Sequence, residues 1–412
     1  MKGQRDDRAE YDAIIVGARV AGAATALGLA ERGWRVLLLD AATFPSDTLS
    51  THLLWSDALL RLGRLGVLDE VAATDAPPIG RIRLAFGPYS NAAPIPTRAG
   101  YAPLLSVRRL VLDDIVLRRA RHTPGITVQE GLRVEALDVA DGVVTGVRGA
   151  LRGGAPFAAR GRVTIGADGR QSLVARAVGA AEYDVVPPLL ATYYRYYRGV
   201  VPLDLPTLEA FRDAEGSFCY LFPCDAGLWT LALSFPQAEF ARVRRDHEAE
   251  LATQIARKVG LPERLAGAEA VAPWRGAGDL TNFFRVPYGP GWALVGDAGY
   301  HRDPITGRGI ADALHGAELL VGALDRTWRG DMPFAAALAA YHDARDAAVR
   351  PLYDFTVDRP PTGMVAADWF ASLGQALSDP AYLSAYVGFM ATVTPPEAFY
   401  SAEAARGAGV AV

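Results

Sequence analysis

Residues 11–40 read YDAIIVGARVAGAATALGLAERGWRVLLLD, and this stretch decides the fold of the first part of the chain. A short, mostly apolar run, Asp12–Val16, ends at Gly17, and a helix-like stretch from Ala21 to Arg32 follows it. A second apolar run then ends at Asp40. The order of apolar run, glycine turn, helix and apolar run predicts a βαβ unit whose two strands are parallel.

The turn between strand and helix reads Gly17-Ala18-Arg19-Val20-Ala21-Gly22. Gly17 allows a tight turn and Gly22 close packing of helix on strand, while the helix N-terminus offers free N–H groups to a pyrophosphate. An acid about 20 residues further on, here Asp40, can accept hydrogen bonds from ribose hydroxyls. We therefore predict a dinucleotide site at Gly17, Ala18, Val20, Ala21, Gly22 and Asp40. Arg19 departs from the pattern, because a second glycine is typical there; its side chain must point away from the phosphates or pair with them.

Two further glycine motifs follow predicted strands. Gly166-Ala167-Asp168-Gly169 comes after the strand Arg162–Ile165, and Asp168 or Ser172 could also simply cap the next helix. Gly296-Asp297-Ala298-Gly299 comes after the strand Trp292–Val295 and leads into Asp303-Pro304-Ile305-Thr306-Gly307-Arg308-Gly309. An acid at a strand end can bind a hydroxyl group, and a glycine-rich helix start can bring N–H groups to an anion.

The remaining sequence predicts a second unit and a helical end. Aromatic and β-branched residues dominate between Leu189 and Phe235, which predicts a mostly antiparallel sheet. The other predicted elements are a helix at Leu110–Arg121, hairpin strands across Thr127–Val147 with an Asp141-Gly142 turn, helices at Gln237–Val259 and Gly309–Arg329, and further helices from Phe334 to Ala405.

Composition excludes several classes of protein. The chain has 412 residues with 42 basic and 46 acidic side chains, so no strong positive field exists for nucleic acid. The two cysteines, Cys219 and Cys224, do not have the spacing of zinc ligands, and two cysteines are too few for a disulfide-stabilised scaffold. No run of apolar residues is long enough to span a membrane, and residues 1–10 are polar. We expect a soluble cytoplasmic protein without a metal site, as a monomer or homodimer.

The three motifs, in this order and spacing, resemble the FAD-dependent monooxygenases of the para-hydroxybenzoate hydroxylase type and their geranylgeranyl-reductase and halogenase relatives. The resemblance runs from Asp12 to Leu324. It implies an α/β fold with a Rossmann-like FAD-binding domain of the glutathione-reductase type, an inserted, mostly antiparallel substrate sheet and a helical C-terminus. The expected limits are 1–80, 100–185 and 272–330 for the FAD-binding domain, 81–99 and 186–271 for the sheet domain, and 331–412 for the C-terminal region.

The resemblance also assigns cofactor contacts. The first motif would hold the FAD pyrophosphate and ribose, Asp168-Gly169 would lie near the pyrophosphate and help to bind the nicotinamide cofactor, and Gly296-Asp297 would contact the ribityl chain. The flavin pyrimidine edge would lie against Pro304, Gly307, Arg308 and Gly309, and Arg109, or alternatively Arg108, would contact FAD within an Arg-x-x-Leu-Asp pattern. NAD(P)H is the expected co-substrate, although no second glycine fingerprint marks a separate domain for it.

Three residues are predicted to be catalytic. His52 ends the segment Asp47–His52, which in such relatives runs past the flavin toward the substrate. Tyr194 and Tyr196 share one face of a predicted strand, with Tyr193 and Tyr197 on the other. Each of these side chains could equally be an ordinary capping or core residue, as could His301 beside the Gly-Asp motif. Phe218, Tyr220 and Phe222 share a face of another strand, so the sheet is expected to line an apolar cavity with hydroxyl groups.

Several chemistries fit this resemblance. The first is hydroxylation of an aromatic or polyketide-like small molecule with NAD(P)H and O2 through a flavin hydroperoxide, in secondary metabolism. The alternatives are reduction of isoprenoid-type double bonds and a non-redox cyclase that keeps FAD as a structural element. Halogenase relatives need a lysine near the flavin and carry a Gly-Trp-x-Trp-x-Ile-Pro segment. This chain lacks the segment, and its two lysines, Lys2 and Lys258, fall outside the predicted site.

Overall fold

The computed structural model describes residues 10–86, 89–97, 100–213, 217–357 and 374–404. The predicted βαβ unit is confirmed as β1 (Tyr11–Val16), α1 (Val20–Glu31) and β2 (Val36–Asp40). The two strands are parallel, with Ala13 opposite Val36. The helix begins at Val20, directly after the glycine turn.

β1 lies inside the first sheet, with β2 on one side and β10 on the other. The strand order is β7 (Ile126–Glu130), β2, β1, β10 (Pro156–Gly166), β20 (Trp292–Leu294) and β19 (Tyr288–Gly289). The first five of these strands are parallel, so their carboxyl ends share one edge of the sheet. The strand that follows β1 in the chain, β2, lies on one side of it, and β10 lies on the other. At such a switch point in the strand order, a crevice for ligands opens at the carboxyl edge of the sheet.

Both faces of this sheet are covered, which explains the continuous apolar run of β1. Ala13 and Ile15 face the helices α1, α4 (Arg109–Arg121) and α9 (Gly309–Arg329). Ile14 and Val16 face the opposite layer, formed by α5 (Leu173–Ala177) and the hairpin β8 (Leu132–Ala140) and β9 (Val143–Leu151). A strand buried on both faces cannot alternate apolar with polar residues.

The predicted hairpin across Thr127–Val147 was wrong in its first strand. β7 pairs parallel with β2 and belongs to the main sheet, while β8 and β9 form the hairpin. The predicted Asp141-Gly142 turn is confirmed, with positive φ angles of 51° and 78° that fit a tight hairpin connection.

The second sheet is mostly antiparallel, as predicted. Its order is β16 (Glu269–Ala270), β12 (Leu190–Arg198), β15 (Trp229–Pro236), β14 (Phe218–Pro223), β13 (Thr207–Arg212), β4 (Arg81–Phe86) and β5 (Tyr89–Pro94), with only β4 and β13 parallel. β17 (Arg275–Ala277) also pairs with β12, beyond residue 271, where the sequence placed the end of this unit. The domain limits themselves stay predictions.

The predicted helix from Gln237 to Val259 is broken. It is replaced by a 3-10 turn at Gln237–Glu239, α6 (Phe240–Arg245) and α7 (His247–Ala256), with α8 (Leu261–Arg264) after them. The break lies at Asp246, which has an extended φ of −146° and accepts the Ala249 N–H with its carboxylate. Asp246 therefore starts a new helix instead of continuing the old one. These helices cover the outer face of the second sheet.

The C-terminal helices cover part of the inner face of the second sheet. They are α10 (Phe334–Val357), α11 (Pro380–Met390) and α12 (Pro396–Ala404), and Leu352, Leu383 and Phe399 pack against Ile82 and Leu208. Residues 358–373 and 405–412 of the predicted helical region lie outside the described residues, as do residues 1–9 with Lys2. In the part of the chain that is described, every helix is too short or too polar to cross a bilayer.

The smaller elements connect the two large sheets. A third sheet has the order β11 (Glu182–Val186), β18 (Asn282–Arg285) and β21 (Tyr300–His301), and a two-stranded ribbon joins β3 (Leu53–Trp55) to β6 (Leu104–Ser106). The helices α2 (Ser56–Arg64) and α3 (Leu68–Ala72) follow the ribbon strand β3.

We predict that Gly22→Ala disrupts the phosphate turn. A methyl group at residue 22 would lie 1.8 Å from the Gly17 carbonyl oxygen, which is backbone and cannot move aside cheaply. Overpacking of this kind costs about 1–3 kcal/mol, and denaturant unfolding of the two proteins measures it. Gly322→Ala in α9 is the matched control: it meets nothing within 4 Å and should stabilise the protein by about 0.5–1 kcal/mol. Equal stability of the two variants would contradict the predicted close approach.

Candidate active site

The three glycine motifs meet at the carboxyl edge of the first sheet. A side chain at Gly17 (φ 105°) would lie 2.3 Å from the carbonyl oxygen of Ala167, and one at Gly296 would lie 2.8 Å from the Cβ of Ala21. The turns after β1, β10 and β20 therefore touch through backbone and glycine. This close approach leaves the start of α1 open as an anion cradle.

Arg19 points away from that cradle. Its guanidinium pairs with Asp113 at 2.8 Å and donates to the carbonyls of Ser46 and Asp47. The side chain also lies over the ring of Phe44. Arg19 makes no capping bond to α1, so it fastens the 46–47 loop and leaves the first helical N–H groups for a phosphate.

Asp40 fixes the same turn from the end of β2. Its carboxylate oxygens accept the N–H groups of Ala18 at 2.8 Å and Ala42 at 2.7 Å. Burial raises the pKa of Asp40, and the two hydrogen bonds oppose this shift. Each oxygen keeps a second lone pair, so the predicted ribose contact is compatible with these bonds.

Asp297 is exposed at the edge, in the 3-10 turn Gly296–Ala298. Two buried arginines brace this turn from behind: Arg285 donates to the Ala298 carbonyl and Arg345 to the Gly299 carbonyl, both at 2.9 Å. Sequence reasoning missed both arginines, because they come from β18 and α10 and no motif contains them.

Asp168 caps α5. One of its oxygens accepts the N–H groups of Leu173 and Val174, and Ser172 accepts that of Ala175. Both capping alternatives left open by the sequence are therefore present together. The other Asp168 oxygen is buried without a partner among the described residues, while its neighbour Gly169 has a positive φ. Contacts of Asp168 and Gly169 with a cofactor stay predictions.

Arg109 and Arg108 point to different elements. Arg109 pairs with Asp113 at 2.9 Å, so it shares that carboxylate with Arg19. Arg108 pairs with Asp225 of the second sheet at 2.7 Å. The start of α4 thereby ties the phosphate turn to the substrate sheet.

The predicted flavin-edge segment is a 3-10 turn at Pro304–Thr306 followed by the start of α9 at Gly309. Gly307 has a φ of 61°, and a side chain there would lie 2.6 Å from Leu53. The Arg308 side chain turns away to Asp57, 2.6 Å distant. The Arg308 Nε is buried without a partner in the described structure, and a contact of Arg308 with a cofactor stays a prediction.

The three predicted catalytic residues lie together. His52 is fully buried, with its ring centroid 5.0 Å from that of Tyr194 and 5.5 Å from that of Tyr196. Its Nε2 forms a short hydrogen bond with the Tyr196 hydroxyl, while its Nδ1 has no partner in the described structure. The Tyr194 hydroxyl interacts with Tyr196 and Arg275. Burial, helped by the nearby Arg109, lowers the pKa of His52 to about 3. His52 is therefore neutral at physiological pH.

The sheet places both predicted aromatic sets on its inner face. Ala232 lies opposite Tyr194 on one side and Tyr220 on the other, so Phe218, Tyr220 and Phe222 share the face of Tyr194 and Tyr196. Tyr193 and Tyr197 pack into the outer core instead. The Tyr220 hydroxyl donates to the Ile305 carbonyl at 2.7 Å. The inner face therefore contacts the flavin-edge segment directly.

Asp303 is a buried acid at the start of that segment. It has no exposed surface and no cationic partner among the described residues, and the backbone N–H groups of Leu190 and Ile305 interact with its carboxyl group. Its backbone N–H donates to Asn282 at 2.7 Å. Burial raises the pKa of Asp303 to about 7. Sequence reasoning missed this residue, because an acid before proline in a loop gives no sign of burial.

His301 is also buried, but it is held within β21. Its Nδ1 lies 2.7 Å from the Thr281 carbonyl oxygen, and burial lowers its pKa.

The comparisons with known proteins agree with this geometry. The family model for the FAD binding domain matches residues 10–356. The digeranylgeranylglycerophospholipid reductase of Methanocella arvoryzae is 24% identical over 362 residues, which cover 85% of this chain and 86% of that protein. Two solved structures share the fold. One is the flavin-dependent brominase Bmp2 (18% identity, TM-score 0.80, 96% of this chain and 99% of that one). The other is PqsL of Pseudomonas aeruginosa, described as "a probable FAD-dependent monooxygenase" (21% identity, TM-score 0.71, 92% of this chain and 99% of that one).

The chain belongs to the FAD binding domain family. It is a flavoprotein of the superfamily that contains monooxygenases, halogenases and double-bond reductases, as the resemblance of its motifs predicted. The residues present fit FAD: the uncapped start of α1, the glycine turns that admit only backbone, and the exposed Asp297 all face one edge. When bound, FAD supplies hydride transfer and reaction with oxygen.

We predict that Asp297→Ala weakens FAD binding by about tenfold or more, since charge-assisted hydrogen bonds contribute about 1.5–3 kcal/mol. Titration of apoprotein with FAD, followed by flavin fluorescence, measures the affinity. The control is Asp279→Ala. Asp279 is also an exposed acid and pairs with Arg170, and the FAD affinity of this variant should stay within about twofold of wild type. Equal losses in the two variants would count against the ribityl assignment.

A second prediction concerns stability and pH. In the unfolded chain the Asp303 carboxyl has a pKa near 3.9, against about 7 in the folded protein. The folded state therefore retains a proton that the unfolded state has lost, and the stabilisation this gives disappears as the pH rises through about 7. We expect Asp303→Asn to raise the melting temperature relative to wild type more at pH 8 than at pH 5. A pH-independent difference would show that burial does not raise the pKa of Asp303.

Proposed function

We propose that this protein is a FAD-dependent monooxygenase that hydroxylates an aromatic or polyketide-like small molecule, with NAD(P)H and O2 as co-substrates. The observation that carries the proposal is the buried, neutral His52, with Nδ1 unpartnered, in contact with Tyr194 and Tyr196. These residues lie on the sheet face that also reaches the flavin-edge segment through Tyr220.

His52 suits the role of a hydrogen-bond acceptor that polarises the substrate hydroxyl. Hydroxylation requires an electron-rich ring, and a hydrogen bond accepted from a phenolic hydroxyl shifts electron density toward the ring. When Nε2–H donates to the Tyr196 hydroxyl, Nδ1 carries a lone pair that can accept this hydrogen bond. Because burial lowers the pKa of His52 to about 3, the imidazole stays neutral at physiological pH, and Nδ1 acts as a hydrogen-bond acceptor for the substrate hydroxyl instead of carrying away its proton.

The surrounding side chains bind and enclose the substrate. Phe218 and the two inner tyrosines supply aromatic rings for a planar molecule, and the small residues Ala232 and Ser234 lie opposite Tyr220 and Phe218 in the register of the sheet. Tyr196 fixes the orientation of the His52 ring. Burial of all these groups excludes water from the reacting centre.

A second candidate function, reduction of an isoprenoid-type double bond, is favoured by Asp303. Reduction of an alkene needs a proton donor beside the hydride donor, and Asp303 retains its proton up to about pH 7 at the flavin-edge segment. The name of the Methanocella relative points the same way. Halogenation lacks such support. The Lys258 ammonium group is bound by Asp213 and Ser217, beside the outer core of the second sheet that contains Cys219. The other lysine, Lys2, lies outside the described residues.

The two functions make opposite predictions for two variants. In holoenzyme reduced with NADH or NADPH and then exposed to oxygen with candidate substrates, a product that gains one oxygen supports the monooxygenase and one that gains two hydrogens the reductase. For the monooxygenase, His52→Gln should lower turnover about tenfold or more, the effect of a lost or misplaced hydrogen bond, and Asp303→Asn should lower it much less. For the reductase this order should reverse.

Bound FAD content is measured in each variant, so that loss of cofactor is not mistaken for loss of chemistry. Failure of both nicotinamides to reduce the bound FAD would overturn the NAD(P)H-dependent proposal.

A further inference from the structure

Two buried polar groups of the active site are placed to serve a ligand: His52 Nδ1 has no partner in the described structure, and the Tyr194 hydroxyl beside it interacts with Tyr196 and Arg275. The Tyr194 hydroxyl belongs to a side chain that is 2% exposed, and His52 Nδ1 to one with no exposed surface. Burial of a polar group without a hydrogen bond is costly, so such groups generally serve a ligand. The two rings are in contact, edge to face, at a centroid distance of 5.0 Å. Together they offer one donor–acceptor pair to a bound molecule.

The arginines around this pair are already neutralised. Arg108 and Arg109 act electrostatically on His52, and Arg275 on Tyr194. Each has its own carboxylate partner: Arg108 pairs with Asp225 at 2.7 Å, Arg109 with Asp113 at 2.9 Å, and Arg275 with Asp47 at 3.0 Å.

An anionic ligand would therefore find an unfavourable environment. It would have to leave water without gaining a new cation, and it would lie near the carboxylates of Asp47 and Asp225, which already act on the tyrosines and His52. His52 offers no compensating charge, because it is neutral.

We infer that the substrate-binding part of this site is selective for uncharged molecules that carry a hydroxyl or carbonyl group, held by the Tyr194 hydroxyl and His52 Nδ1, and that it rejects carboxylates. This inference rests on the proposed function for the location of the substrate. It adds the chemical class: phenols, quinones or ketones without an acidic group.

Binding to the holoenzyme tests the inference without turnover. The probes are pairs of similar size and shape, one uncharged and one anionic at pH 7.5: 4-hydroxyacetophenone against 4-hydroxybenzoate, and 6-hydroxy-2-acetonaphthone against 6-hydroxy-2-naphthoate. Dissociation constants come from calorimetry or from changes in the absorbance of bound FAD. We expect the uncharged member of at least one pair to bind about tenfold or more tightly than its carboxylate. A panel in which no uncharged member binds more tightly than its carboxylate overturns the inference.

Variants link the selectivity to the named groups. Tyr194→Phe should weaken binding of the uncharged ligand about five- to tenfold, whereas Tyr193→Phe, on the outer face, should leave it unchanged. Asp47→Asn should free Arg275 and improve binding of the carboxylate member. Equal effects of the two tyrosine variants, or no gain for the carboxylate in Asp47→Asn, would contradict the assignment.

The outcomes also separate this inference from the proposed function. Selective binding of uncharged ligands without incorporation of oxygen leaves the inference standing and overturns the monooxygenase. Oxygen incorporation into a tightly bound carboxylate supports the monooxygenase and overturns the inference about uncharged substrates.

Discussion

The contact between backbone turns at the carboxyl edge of the first sheet is the constraint on which the rest of the structure depends. Gly17 lies against Ala167, and Gly296 lies against Ala21, at distances that leave no room for a side chain. This closeness aligns the start of α1 with Asp297 and the flavin-edge segment. The start of α1, which has no side-chain cap, lies at this edge, and free helical N–H groups are what the pyrophosphate of a dinucleotide requires.

Paired charges hold the second sheet against this edge. Asp113 binds both Arg19 and Arg109, and Arg108 reaches across to Asp225. The ion pairs that join the two units therefore also neutralise the arginines near the proposed substrate side. As a result, a chain rich in arginine forms a site with little net positive charge.

Some of the buried groups without a hydrogen-bond partner lie where chemistry is expected. His52 on the sheet side and Thr306 on the flavin-edge side include buried atoms without a partner in the described structure. Burial makes His52 a neutral hydrogen-bond acceptor and Asp303 an acid that keeps its proton up to about pH 7. Proteins tolerate such costs mainly at functional sites, because elsewhere they only reduce stability.

The sequence by itself determined the βαβ unit, the antiparallel second sheet and the cofactor motifs, because glycine turns, apolar runs and strand alternation are local properties. Only the tertiary structure showed that Ile126–Glu130 joins the main sheet, that Arg308 turns to Asp57, that Arg345 braces the Gly-Asp turn and that Asp303 is buried. It also brought His52 to Tyr194 and Tyr196. These facts depend on contacts between segments far apart in the chain, and no local pattern of residues specifies which distant side chain will provide a partner or withhold one.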